Sequence, residues 1–282
     1  MRSRLLLNVC LALVLAGLAY YVAYRPHEPQ QVISSRLVTV DRKAVNTIEV
    51  EKYKEFVLKL EKRSDTWFVN APFRARANSD SVDLILDISE ATSSSSISNT
   101  NDAEYGFDAP TYRLNLNDQT IIFGKVNELI NEQYVRTMSD TFLVRTHFGY
   151  NLPYTPEKII SEKILGPEEH PISFDFGDWH ATKTNGEWKV SGATNLSSRE
   201  IEIWASGWRI TSAINVETSR KNNEGSSRVM KVGFEDGKTV SFTFIQHDRG
   251  FSIDRSDEDI RYNVGTESGT RLLNPSEVAK TL

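Results

Sequence analysis

The chain has 282 residues, of which 39% are hydrophobic and 25% are charged, and this ordinary globular composition excludes a collagen, a polytopic transporter and a largely disordered chain. The formal net charge is −5, which disfavours general nucleic-acid binding because an acidic surface repels phosphate groups. The single cysteine, Cys10, excludes both an internal disulfide and a cysteine-rich metal site.

The first predicted element is an uncharged apolar segment, Leu5–Tyr24. As a helix it would be about 30 Å long, which is the thickness of a bilayer core. Arg2 and Arg4 precede it, so the positive-inside rule places the N-terminus in the cytoplasm. We therefore predict a single-pass protein of the bacterial inner membrane whose C-terminal domain is periplasmic, or otherwise extracytoplasmic. The alternative is a cleaved signal peptide, since Gly17 and Ala19 resemble the small residues of a cleavage site.

A polar segment, Arg25–Ser35, follows the apolar one and contains Pro26 and Pro29. It has no apolar periodicity, so we interpret it as a tether between the membrane and a folded domain. A second break in the pattern occurs at Gly166-Pro167. The predicted organisation is an anchor and tether at 1–31, a first module at 32–165 and a second module at 166–282.

The two modules resemble each other along their length. In each, strand-like segments lead to a tryptophan, Trp67 or Trp188, and an amphipathic helix follows. We expect Ser79 to cap the first helix and Ser197 or Ser198 to cap the second. Two hairpins come next in both, and corresponding positions are about 120 residues apart. Alternating strands leave one face of a sheet to be covered. The sequence therefore predicts an α+β fold of two tandem modules, each an antiparallel sheet with one main amphipathic helix.

Two motifs of the first module carry a family resemblance. They are Trp67-Phe68-Val69-Asn70-Ala71-Pro72 and Tyr105-Gly106-Phe107-Asp108-Ala109-Pro110. With the helix after Asn78, they make residues Thr47–Ile160 similar to the bacterial envelope family known as domain of unknown function 4340. The resemblance implies an exported or single-pass β-rich protein, in some cases a companion of gliding-motility-type ABC transporters, without established chemistry.

The Tyr-Gly-Phe segment has a simple structural interpretation, and the second module has no counterpart of it. Gly106 allows an unusual backbone conformation, Pro110 fixes the start of the next strand, and Tyr105 and Phe107 pack beneath the turn. The alternative is a ligand-binding or partner-binding role for the two aromatic residues.

Familiar catalytic signatures are absent from the sequence, which has no phosphate-binding loop, no G-x-S-x-G and no H-E-x-x-H. We therefore expect no catalytic residues, no cofactor and no metal. The densest group of possible ligands is His170, Asp175, Asp178 and His180. If a hairpin joins them, His170 and His180 could meet, which leaves a metal or acid–base role as the alternative to solvated hairpin residues.

Two further groups admit more than one interpretation. Acidic residues crowd a predicted hairpin loop at Asp254, Asp257, Glu258 and Asp259, for which a solvated turn is favoured over a calcium site. Tryptophans cluster in the second module, where core packing is the first interpretation and an aromatic surface for a partner is the second. The candidate partner surface consists of Trp179, Trp204, Trp208, Tyr105 and Phe107.

Three classes of function remain open. The leading hypothesis is a non-enzymatic interaction or accessory module, anchored in the membrane beside an envelope protein partner such as an ABC transporter or an envelope-assembly component. The second is a module that binds a small molecule or glycan in the groove between the modules, which exposed tryptophans lining that groove would favour. The third is an enzyme of unrecognised type, which a buried carboxylate or histidine facing a cleft would favour.

Overall fold

The computed structural model describes residues 11–18, 20–21, 35–93, 96–97, 101–138, 140–192, 196–219 and 226–276. Two units, 1–34 and 35–282, are each described by themselves. In the first, residues 11–18 and 20–21 are helical. No helix among the described residues is long and apolar enough to cross a membrane. The predicted apolar segment Leu5–Tyr24 lies partly outside those residues, as does most of the predicted tether.

The second unit contains two antiparallel sheets and a small two-stranded one. The small sheet pairs β1 (Ser35–Arg36) with β6 (Thr92–Ser93). The strand order of the first large sheet is β5-β4-β3-β2-β8-β9-β10-β11-β7. Its strands are β2 (Thr47–Lys52), β3 (Phe56–Arg63), β4 (Thr66–Ala71), β5 (Ala75–Arg76), β7 (Ser96–Ile97), β8 (Tyr112–Leu116), β9 (Gln119–Asn127), β10 (Glu132–Arg136) and β11 (Thr141–Arg145).

The second large sheet has the order β14-β13-β12-β16-β17-β18-β19-β15. If β5 is set aside, this order repeats that of the first sheet strand for strand. Each sheet even ends on a short strand that comes from the segment after its helix. The strands are β12 (Pro171–Asp175), β13 (Trp179–Thr184), β14 (Glu187–Gly192), β15 (Asn215–Thr218), β16 (Ser227–Phe234), β17 (Thr239–His247), β18 (Gly250–Arg255) and β19 (Ile260–Gly265).

Few helices accompany the sheets, so the α+β class is confirmed. Those of the second unit are α1 (Ser79–Leu86), α2 (Asp102–Tyr105), α3 (His147–Tyr150), α4 (Ser198–Ile210) and α5 (Thr266–Leu273), with short 3-10 turns at Arg42–Ala44, Asp87–Glu90 and Pro156–Ile159. Asn78, and not Ser79, caps α1, because the Asn78 side chain accepts a hydrogen bond from the Ser81 amide. Ser197 caps α4 in a capping box with Glu200.

The long helix α4 covers the second sheet in the way that its spacing predicts. Ile201, Trp204, Ala205 and Trp208 form its buried face. It packs near β14, just as α1 packs near β4, so the two helices occupy equivalent places. Trp67 and Trp188 are correspondingly buried, with exposed fractions of 7% and 4%.

Candidate functional site

A segment, residues 159–164, joins the two modules by backbone hydrogen bonds on both sides. Toward the first module, the Ser161 amide donates to the Arg76 carbonyl at 2.9 Å and the Asn78 amide donates to Ile159 at 2.7 Å. Toward the second, the Ile164 amide donates to Thr211 at 3.1 Å and the Ala213 amide to Glu162 at 2.8 Å. Because the segment is paired on both sides, it is a structural joint and not a free linker.

A group of buried charges lies beside this joint, and we call it the buried charge cluster. Its first member, Arg76, comes from the first module, and the others come from the joint region and from the β18–β19 hairpin. Buried ions are tolerated only where partners of opposite charge and hydrogen bonds replace water. The members are Arg76, Glu169, Arg255, Asp257, Glu258 and Tyr262.

Arg76 crosses the boundary between the modules. Its Nε donates to Glu258 Oε1 at 2.6 Å, and its Nη2 donates to the hydroxyl of Tyr262 at 2.8 Å. The same Nη2 also donates to the carbonyls of Lys163 and Ile164 at 2.9 and 3.0 Å. One side chain thus binds the first module to the joint and to the second module at once.

Arg255 holds the other half of the cluster. It donates to both carboxylate oxygens of Glu169, at 2.6 and 2.8 Å, and to Asp257 at 3.0 Å. Lys238 lies 2.7 Å from Asp257 and supplies a third cation. With Lys238 added to Arg76 and Arg255, three cationic side chains face the three carboxylates of the cluster, so the charges balance.

The electrostatics of the cluster favour a structural role. Burial alone raises the pKa of Glu169, but the hydrogen bonds and charge of Arg255 outweigh it and hold that pKa at about 2. Burial likewise opposes ionisation of Asp257, yet Arg255 and Lys238 lower its pKa below the ordinary range. Burial raises the pKa of the Tyr262 hydroxyl, which stays protonated and donates to Glu258 at 2.5 Å. Glu169 and Asp257 thus remain charged near neutrality and are poorly suited to proton transfer.

The interpretation of the acidic loop as a solvated turn is wrong. Each of its four carboxylates pairs with an arginine: Asp254 with Arg261, Asp257 with Arg255, Glu258 with Arg76 and Asp259 with Arg74. Glu258 is buried with Arg76, whereas the pair of Asp259 with Arg74 is exposed. No sequence signal marks these pairs, because Arg74 and Arg76 lie far along the chain from their partners Asp259 and Glu258.

A groove of about 670 Å³ lies on the outer side of the joint. Its first-module wall includes Trp67 and the start of α1 at Asn78, and its second-module wall includes Arg209 and Ile210 from α4. Trp67 is buried, so the groove does not offer the exposed tryptophans that would favour a glycan site.

The candidate partner residues of the second module lie in the core. Phe174 packs against Trp204 and Trp208 with ring centroids 4.4 and 5.7 Å away, and Trp179 stacks on Phe176 at 4.4 Å. Trp204 and Trp208 are fully buried, and Trp179 is nearly so. These three tryptophans therefore belong to the packed interior and not to a partner surface.

Trp179 does form part of the wall of a second cavity, of about 610 Å³, at the end of the second sheet. Arg228, Phe244 and Gln246 also line it, and α5 closes one side with Thr270. Arg228 is held by Asp178 at 3.2 Å, so its charge is already compensated. The cavity therefore lacks an uncompensated charge that would select a ligand of a particular class.

The Tyr-Gly-Phe segment forms the turn that the sequence predicts, at the end of α2. Gly106 has a φ of 78°, in the left-handed region, and both Tyr105 and Phe107 are buried. Tyr105 packs on Tyr134 at 4.7 Å between ring centroids. A Cβ on Gly124 would lie 2.2 Å from the Tyr105 carbonyl oxygen, so the turn rests directly on β9. Tyr105 and Phe107 thus hold the turn and present no surface to a partner.

The histidine pair does not meet. His180 pairs with Asp175 across the β12–β13 turn, and its Nδ1 lies 3.0 Å from Asp175 Oδ1. His170 precedes β12 and therefore lies at the far end of that hairpin, because the strands are antiparallel. Among the residues that the structure describes, no three His, Cys, Asp or Glu side chains are grouped to hold a metal ion.

Comparison with known proteins gives one match. The family described as "Domain of unknown function (DUF4340)" matches residues 67–224, which is more than half of the chain. No curated protein and no solved structure matches. The matched range starts at Trp67, later than the resemblance at Thr47–Ile160 suggests, and it continues through α4 and β15 of the second module. It therefore includes the Tyr-Gly-Phe turn, Arg76 and the joint, and on this extent the chain belongs to the DUF4340 family.

Proposed function

We propose that the chain is a single-pass, membrane-anchored accessory protein whose folded unit acts on the extracytoplasmic side without catalysing a reaction. In the native envelope it would contact a protein partner, such as an ABC transporter or an envelope-assembly component. The proposal joins a membrane segment to a rigid two-module body, and the two parts have different support.

One observation carries the membrane part. In the helical residues 11–18, the large apolar side chains Leu11, Leu13, Val14, Leu15 and Leu18 have exposed fractions between 55% and 67%. Apolar side chains that surround a helix and contact no core are favourable only in an apolar environment. The charge-free sequence Leu5–Tyr24 extends this segment to the length that a bilayer requires.

The pairing of ionisable side chains within the folded unit supports the accessory role. Arg255 and Lys238 neutralise the carboxylates of Glu169 and Asp257. Tyr262 accepts a hydrogen bond from Arg76 and so helps to bind the modules together. Residues that sequence reasoning marks as possible catalysts, His180 and Asp178, are exposed and paired with single neighbours. A rigid body of this kind suits a protein that presents a surface to another protein.

Fractionation of the native host tests the anchor. Leu15→Glu places a charge in the middle of the apolar segment and costs about 3 kcal/mol on insertion scales, so the variant should leave the membrane pellet. Met138→Glu, on an exposed loop, is the matched control and should stay in the pellet at alkaline pH. Release of an N-terminally shortened wild-type protein would instead establish a cleaved signal peptide.

Complementation tests the accessory role. We expect the folded unit, exported without its anchor at the same level, to fail to restore the phenotype of a deletion strain, because tethering sets its effective concentration near a partner. His170→Ala and Asp178→Asn in the full chain should restore it. The reverse pattern would point to a soluble enzyme and contradict the proposal.

A further inference from the structure

One end of the first module exposes an unusual set of apolar side chains, which we call the apolar end. At this end β2, β9 and β11 finish and β3, β8 and β10 begin. Within the described part of residues 35–276, six of the eleven exposed large hydrophobic side chains lie here, so the clustering is confined to one end. They are Tyr53, Leu84, Leu129, Ile130, Tyr150 and Tyr154.

Hydrogen bonds between loops make the apolar end one continuous surface. Lys52, beside the β2–β3 turn, donates to the Tyr154 carbonyl at 3.4 Å. The Asn151 side chain donates to the Leu84 carbonyl, also at 3.4 Å. Thr146, just before α3, donates to Asn131 of the β9–β10 turn at 3.3 Å. Loops that are distant in sequence are thus held side by side.

The path of the chain into the folded unit points to what covers this surface. Ser35 pairs with Ser93, whose hydroxyl donates to the Leu143 carbonyl in the middle of β11. Four residues later, the Thr39 amide donates to Gln119, at the opposite end of the sheet. The chain therefore enters the unit running away from the apolar end. Ser35, at which the tether predicted from the sequence ends, is thus the part of this entry segment nearer to the apolar end.

The side chains of the apolar end match the chemistry of a bilayer surface. Tyrosines favour the headgroup region, and lysines can reach lipid phosphates while their stems lie along apolar groups. Lys54 lies over the Tyr53 ring at 4.9 Å, and Lys158 lies over the Tyr154 ring at 5.4 Å. Leu129, at the tip of the β9–β10 turn, is 96% exposed and has no neighbour that shields it from water.

We propose that the apolar end rests on the outer surface of the bilayer, with Leu129 in the outermost hydrocarbon and the tyrosines among the headgroups. This inference rests on the proposed membrane anchor and goes beyond it. The anchor only keeps the folded unit near the membrane. The apolar end would determine which face of the unit contacts the bilayer and which faces stay accessible to a partner.

The test uses the full chain with its one cysteine replaced, Cys10→Ala, and a new cysteine at one of three sites. Leu129→Cys probes the apolar end. Met138→Cys, in the β10–β11 turn at the other end of the same strand, is the control because Met138 is 91% exposed. Each variant carries an environment-sensitive fluorophore and is reconstituted in phosphatidylethanolamine–phosphatidylglycerol vesicles with or without nitroxide-labelled lipid. Tyr150→Cys provides a second position at the apolar end, in case the probe at residue 129 disturbs its turn.

At 129 and 150 we expect blue-shifted emission and about a twofold loss of intensity on adding nitroxide lipid, since interfacial side chains enter the bilayer by about 5–10 Å. The probe at 138 should show neither change. Protein that floats with the vesicles but shows no quenching at 129 or 150 would overturn this inference and leave the anchor standing. Protein that does not float would overturn both. A blue shift without quenching would mean that a second copy of the chain covers the surface, and it would also overturn the inference.

Discussion

Replacement of Arg76 by methionine removes a charged side chain that links the first module, the joint and the second module. Arg76→Met keeps an unbranched apolar stem, which ends at the position of the arginine Nε, but loses the hydrogen bonds to Glu258, to Tyr262 and to two carbonyls of the joint. Glu258 would keep the Tyr262 hydroxyl at 2.5 Å and Arg255 at 3.7 Å. Removing one partner of a buried ion pair typically costs about 3–5 kcal/mol, and the remaining contacts place the expected loss near the lower figure.

The assay is urea unfolding of the full chain in detergent, followed by intrinsic tryptophan fluorescence. Arg74→Met is a matched control, because Arg74 lies two residues away and pairs with Asp259 next to Glu258, but in an exposed position. We expect a clear fall of the unfolding midpoint for Arg76→Met and almost no change for Arg74→Met. Equal midpoints for the two variants would refute the view that burial makes the ion pair of Arg76 contribute more to stability than the exposed pair of Arg74.

Three other predictions follow from the same structure. The folded-state pKa of Glu169 is depressed from 4.5 to about 2. Its ionised carboxylate therefore adds up to about 3 kcal/mol to the free energy of unfolding above pH 4.5, and this contribution disappears as the pH falls toward 2. Glu169→Gln should accordingly weaken the dependence of stability on pH in the acid range. Trp67→Ala and Trp188→Ala should each cost about 3–5 kcal/mol in chemical unfolding, and a loss confined to one of them would argue against equivalent places in the repeat. Gly124→Ala should destabilise the protein because its Cβ would meet the Tyr105 carbonyl, whereas Gly207→Ala, in open space within α4, should raise the unfolding free energy by about 0.5–1 kcal/mol.

The repeat could be predicted from the sequence because it depends on patterns among neighbouring residues. Strand alternation, the capped amphipathic helix and the tryptophan before it are all properties of neighbouring residues, and they led to the α+β class and the two sheets. The short edge strands β7 and β15 were not predicted, since strands of two to four residues carry no readable period.

The buried charge cluster could not be recognised in the same way. Arg76 and Glu258 are far apart in the chain, and only the packing of one module on the other removes them from water. Composition favours exposure for every Arg and Glu, so a solvated loop was the expected interpretation. The same limit applies to the apolar end, whose residues are brought together by the sheet and not by their spacing in the sequence.

The hydrogen bonds of residues 159–164 to both modules couple the unfolding of one module to that of the other. The backbone of the joint exchanges hydrogen bonds with Arg76 and Asn78 of the first module and with Thr211 and Ala213 of the second. We therefore expect neither module to unfold without breaking hydrogen bonds that hold the other. The two halves of the repeat should therefore lose hydrogen-exchange protection together, as one cooperative unit. A chain cut after residue 165 would keep this segment as an unpaired edge strand, which is a template for aggregation. We therefore expect the repeat to behave as an obligate pair, in contrast to solenoid arrays whose units can be added or removed one at a time.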